Sequence, residues 1–254
     1  MSDLSRRKLM TTTGAFGAAM LPGSFAATPA SAQHDHGTAV AQLAAKSVQP
    51  QPTSYLFLNQ QEAAFIETAV ARLIPADDKW PGAREAGVPN YIDKQLGGAW
   101  GAGERLYRSG PWQAGTPSQG YQLPFTPAEL FRTAIAAINT ELKDKTPFAK
   151  MTADEQDAYL HALEAGGKDL GGVPSNVFFA TLWESTVEGF FSDPVYGGNR
   201  DMVAWRMIGF PGAYASYYEL VDKHGGKFER APTSLAEDVH GHVHVDAGIP
   251  ARLP

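Results

Sequence analysis

Few side chains in this sequence have the type and spacing to do chemistry. Glu184 and Glu188 stand one helical turn apart, the separation at which two carboxylates share a helix face and could divide general acid and general base between them. His240, His242 and His244 alternate, so an extended or bent chain could bring three imidazoles to one metal ion, and His34 and His36 form a shorter pair near the other end. Asp77-Asp78 invites a calcium reading and His161 a general-base reading. Each has a plainer account. Glutamates at i and i+4 decorate many solvated helices, and neither G-x-S-x-G nor H-E-x-x-H accompanies this pair. Adjacent acids after a helix usually solvate a turn, and the histidine triplet has only Asp238 and Asp246 as nearby acidic ligands.

Cofactor chemistry is narrowed further by what the chain omits. With no cysteine there is no c-type haem attachment, iron–sulfur cluster, thiolate zinc site or disulfide framework. The dinucleotide fingerprint G-x-G-x-x-G is missing too, since Gly101-Ala102-Gly103 is not followed by a third glycine. No residue is therefore assigned a cofactor-binding role.

The elements that would position such groups read as helices. Asn59 with Glu62 makes a capping box ahead of Phe65, Ile66, Ala69, Val70 and Leu73, with Pro75 as the stop. Thr126-Pro127-Ala128-Glu129 and Thr152-Ala153-Asp154-Glu155 open two more helices in the same way, and Pro89 restarts a short helix that ends near Gly97. Following Ser175, an apolar stripe of Phe178, Phe179, Leu182, Trp183, Val187, Phe190 and Phe191 is wide enough to be buried on both faces, which makes this the central helix. A last helix is expected after Pro211, ending near Gly225. Strand alternation bounded by hairpin turns is absent, so the expected class is all-α, an irregular multi-helix domain with long Gly-, Pro- and aromatic-rich loops and extended terminal arms.

Two irregular stretches stand out. Residues 97–124 carry Trp100, Tyr107, Trp112 and Tyr121 among glycines and prolines, as either a sugar-binding platform or a surface buried by a partner. Residues 189–212, "GFFSDPVYGGNRDMVAWRMIGFPG", pack aromatics around Gly197-Gly198 and Pro211 too closely for all of them to face one core. Asp193-Pro194 should open a turn there, and Asn199 should cap a helix over 200–208. Tyr196, Trp205, Arg206 and Phe210 are the expected partner anchors, with Trp100 and Trp112 in support.

The run quoted above follows "LWESTVEG", and a second anchor is "FLNQQEAAFIETAVARLIPADDKWPGAREAGVPNYID". Together they resemble the gluconate 2-dehydrogenase subunit 3 family over residues 56–226. The resemblance implies a non-catalytic small subunit of a periplasmic or membrane-associated dehydrogenase complex acting on gluconate, a sugar or a polyol. It further implies an FAD-dependent large subunit as partner, and, where present, a multihaem cytochrome c subunit carrying haem c. The small subunit would aid folding, export and stability of the flavoprotein.

The ends of the chain fit that picture. Arg6-Arg7 lies in a twin-arginine pattern ahead of a weakly apolar stretch and the A-x-A site Ala30-Ser31-Ala32, so residues 1–32 read as an export signal addressed to the twin-arginine translocase and hence to the periplasm. That route carries folded proteins, and a chain with no cofactor site of its own on such a route suggests an escort. Residues 33–55 read as a flexible arm, 56–228 as the helical domain and 229–254 as a polar, His-containing tail. Losing Arg6, Arg7, Lys8 and Asp3 with the signal leaves 18 basic against 26 acidic side chains, a shift from −6 to −8 that argues against nucleic acid. Two alternatives survive from the residues alone: a free periplasmic metal-binding protein using its terminal histidines, and a hydrolase using Glu184 and Glu188.

Overall fold

The computed structural model describes residues 54–113, 115, 116, 119, 122–213, 220–225 and 230–235. Six α-helices occur among them: α1 Gln60–Leu73, α2 Val88–Leu96, α3 Pro127–Glu141, α4 Ala153–Glu164, α5 Ser175–Phe191 and α6 Val203–Ile208. The described residues form no sheet, only the isolated bridges Asp169 with Pro174 and Gly212 with Thr233. The domain is all-α.

The three capping boxes close as their sequences dictate. Asn59, Thr126 and Thr152 each accept from the backbone three residues on, while Glu62, Glu129 and Glu155 reach back to the cap N–H. Each box satisfies two helix-end donors that would otherwise be left open. Helix α2 starts differently. Gly87 sits at its N-cap with φ of 82°, and no side chain caps it.

Helix α5 is the hub, packing on α1, α2, α3, α4 and α6. Phe178 on α5 meets Phe131 of α3 edge to face at 5.5 Å and Phe65 of α1 at 6.0 Å, and Phe65 continues to Phe148 at 4.8 Å. Such tilted and edge-on pairs add to the burial of these rings. The stripe on α5 is interrupted by Ser185, Thr186 and Gly189, all buried. Gly189 is required by α2: a Cβ there would stand 2.7 Å from the Tyr91 ring.

Two buried aspartates fasten the domain's margins. Asp93 on α2, 2% exposed, accepts the N–H groups of Leu56 at 2.8 Å and of Phe57 and Leu58 at 2.9 Å, pinning the segment that leads into α1. Asp193, just past α5, accepts from Val195 N–H at 3.0 Å, the Ser234 hydroxyl at 2.6 Å and Leu235 N–H at 2.8 Å. A carboxylate that collects several donors offsets its own desolvation.

Of the remaining expectations, residues 1–32, Arg6 and Arg7, most of the 33–55 arm, Tyr121, and His240, His242 and His244 lie outside the described residues. So does most of the helix expected after Pro211, of which the described residues 220–225 form turns.

Candidate functional site

Segment 189–212 is shaped by backbone constraint. Asp193 caps a short 3-10 turn, Pro194–Tyr196, and Gly197 follows with φ of 99°. Gly198 is needed for a different reason: a Cβ would fall 2.0 Å from the Gly189 carbonyl oxygen, so the loop folds directly onto the end of α5. Asn199, Asp201 and Met202 then take left-handed conformations with φ of 44°, 56° and 54°. Non-glycine residues rarely adopt that region, and holding three so close together requires strong surrounding contacts.

Those contacts centre on Asn199, which is fully buried. Its amide donates to the Ser192 carbonyl at 2.9 Å and its oxygen accepts from Ala204 N–H at 2.9 Å. The helix expected over 200–208 is thus shorter than the sequence suggests. The left-handed residues 201 and 202 break it, α6 begins at Val203, and Asn199 caps it from across that break rather than as its immediate neighbour.

The expected anchors separate. Trp205 is 6% exposed, its indole N–H donates to the Phe191 carbonyl at 2.8 Å, and its ring stacks edge to face on Phe210 at 5.2 Å. It belongs to the chain's own packing, held against the last residue of α5 by that hydrogen bond. Tyr196, Arg206 and Phe210 are exposed, as is Ile208. Trp112 is half-buried on the 97–124 loop, away from these four in sequence.

Trp100 belongs to a different feature, a hollow of about 410 Å³ between α2, the loop after it and α5. Tyr91, Gln95, Ala99, Trp100, Gly103 and Arg105 line it from one side, and Ser185 and Glu188 from α5. Tyr91 donates to Glu188 at 3.3 Å, and burial, reinforced by the Glu188 charge, pushes its hydroxyl up to about 12. Glu184 is exposed and does not line the hollow, so the two glutamates do not converge on one site. Gln95, Arg105 and Ser185 carry no signal of their own in the sequence. The i, i+4 pair Tyr91 and Gln95 and the i, i+3 pair Ser185 and Glu188 could have flagged two helix faces, but only the packing of α2 on α5 shows that the faces meet.

The other chemical candidates resolve simply. Asp77 accepts the N–H groups of Lys79 and Trp80, a turn-forming role, and His161 is an exposed partner of Glu164 at 3.1 Å. Among the described residues there is no group of three His, Cys, Asp or Glu side chains able to hold a metal, and no helix long and apolar enough to cross a membrane.

A family model described as gluconate 2-dehydrogenase subunit 3 matches residues 60–212, more than half of the chain. The chain belongs to that family. The match starts on the first residue of α1 and ends at Gly212, so it takes in all six helices, the hollow and the strained loop. Membership in the gluconate 2-dehydrogenase subunit 3 family makes the chain a component of a dehydrogenase complex. No curated protein and no solved structure matches it.

Proposed function

We propose that this chain is the non-catalytic small subunit of a periplasmic, FAD-dependent dehydrogenase complex that oxidises gluconate or a related sugar or polyol. In this reading it binds the flavoprotein large subunit, supports its folding and stability, and carries it through the twin-arginine translocase on the signal at Arg6-Arg7. A multihaem cytochrome c subunit, where the complex has one, receives the electrons. FAD and haem c belong to those partners.

The observation that supports the reading most is the family match, which covers all six described helices of a chain without cysteine or a dinucleotide fingerprint. Tyr196, Arg206, Ile208 and Phe210 supply a second support. They are exposed on a loop whose backbone is strained and tightly held, which suits a surface that must keep its shape for a partner.

The test is export. Replacing Arg6-Arg7 with Lys-Lys should block export of this chain and leave the flavoprotein in the cytoplasm, measured by flavin absorbance and dehydrogenase activity in periplasmic and cytoplasmic fractions. A flavoprotein that still reaches the periplasm refutes the escort role.

A further inference from the structure

We infer that the hollow between α2 and α5 is a binding site on this chain itself for a small neutral polyhydroxy compound, a sugar or polyol, which stacks an apolar face on Trp100. The inference does not depend on the partner subunit, because every residue it uses belongs to this chain.

Three observations carry it. The first is a polar group that opens to the hollow without a protein partner. Ser185 is only 4% exposed yet lines the hollow, and its hydroxyl forms no hydrogen bond among the described residues. Its helix neighbours Thr181 and Thr186 both return their hydroxyls to the carbonyl four residues back, at 2.8 and 2.7 Å. Ser185 departs from that habit. A hydroxyl that opens to a hollow without a protein partner is free to bond a ligand or water there.

The second is the balance of charge. One guanidinium, Arg105, and one carboxylate, Glu188, line the hollow, and Arg105 forms no ion pair among the described residues. A cation in the hollow meets Arg105 and an anion meets Glu188, so neither sign is favoured. A neutral molecule with both donors and acceptors can use both groups, together with the Gln95 amide and the Ser185 hydroxyl.

The third is shape. Trp100, 40% exposed, presents an aromatic ring beside Ala99 and Leu106. A pocket of this volume is within the range that encloses a small ligand, and a mostly fixed apolar face with a few convergent polar groups is how such sites orient what they bind. The C–H faces of a sugar ring or polyol chain suit the tryptophan, while its hydroxyls suit the rim. Helix α5 holds Ser185 and Glu188 one turn apart, and Tyr91 fixes the Glu188 carboxylate, so this side of the site is pre-organised.

The purified chain, alone and in its complex, can be titrated with glucitol and with glucose by calorimetry and tryptophan fluorescence, with sodium acetate and ethylammonium chloride as charged comparators. Saturable binding of a neutral polyol is expected, with neither charged comparator competing. Glu188→Gln and Ser185→Ala should each weaken it by roughly tenfold, the effect of one lost polar contact, and Trp100→Ala should weaken it more. Circular dichroism melting checks each fold, and Glu188→Gln keeps shape at an exposed position, so it decides the matter if a buried variant unfolds. Absence of saturable polyol binding overturns the inference. So does equal binding of acetate or ethylammonium, or polyol affinity unchanged in Glu188→Gln and Trp100→Ala.

Discussion

Replacing Asp93 should loosen the helical domain at the entry to α1. Its carboxylate takes three backbone N–H groups, two on one oxygen and one on the other, at 2.8 to 2.9 Å. In Asp93→Ala, Leu58 loses an acceptor in a buried position and Phe57 in a half-buried one, and each orphaned donor costs about 1–3 kcal/mol. Leu56 is 61% exposed, so its N–H can turn to water and adds little. The sum is about 4 kcal/mol, which for a domain of this size lowers the melting temperature by roughly 8–16 °C. Asp93→Asn keeps one oxygen and should lose about 1–2 kcal/mol, less because one acceptor oxygen remains. Thermal melting by circular dichroism measures both, and hydrogen exchange at residues 56–58 should accelerate in step. The reasoning is refuted if Asp93→Ala melts within about 2 °C of the parent, or if exchange at 56–58 is unchanged.

Trp205→Ala should destabilise the isolated chain by about 3–5 kcal/mol, as expected for a buried aromatic, whereas Tyr196→Ala should leave melting within about 0.5 kcal/mol and weaken assembly with the flavoprotein, read by melting curves and by affinity on the folded variants. Above pH 10, stability should fall. Tyr55, Tyr91 and Tyr159 have hydroxyls raised from 10.0 chiefly by burial, so the stability they contribute is full below 10.0 and is lost as the pH rises through their folded values; Tyr91→Phe should shrink that loss in an alkaline melting series. At the acid end, Glu129 is held below 4.5 mainly by the Thr126 N–H and Glu141 mainly by Lys168, so their contribution is full above 4.5 and disappears as the pH drops through the lower folded values. Glu129→Gln should flatten the acid side of the melting profile.

What could be read from the sequence follows how far the signals reach along the chain. The starts of α1, α3 and α4 were legible because a capping box is complete within four residues, as at Thr126 to Glu129. The apolar stripe similarly announced α5 as the central helix, although not buried on both faces as its width suggested, because Asn176, Ala180, Glu184 and Glu188 leave one face exposed. The Asp93 clamp, and the hold of Asp193 on the 234–235 segment beyond its legible turn, were not legible, since those partners lie 35 to 37 and 41 to 42 residues away. Segment 189–212 was recognisable as a shaped loop, but the start of α6 was misplaced because nothing in Asp201 or Met202 predicts a left-handed backbone; the tight contacts of Asn199 impose it. The hollow failed to show for a related reason. Tyr91, Gln95, Ser185 and Glu188 look ordinary on their own helices, and only tertiary packing makes them neighbours.

The Asp193 clamp bears on how this domain can be inherited. The family match stops at Gly212, yet Asp193 inside it is satisfied by Ser234 and Leu235 beyond it, and Gly212 itself has no room for a side chain because a Cβ would lie 2.2 Å from the Thr233 oxygen. A recombination joint placed after residue 212 would therefore sever a working unit, leaving a buried carboxylate with donors it no longer meets. The true module is longer than the span by which the family is recognised.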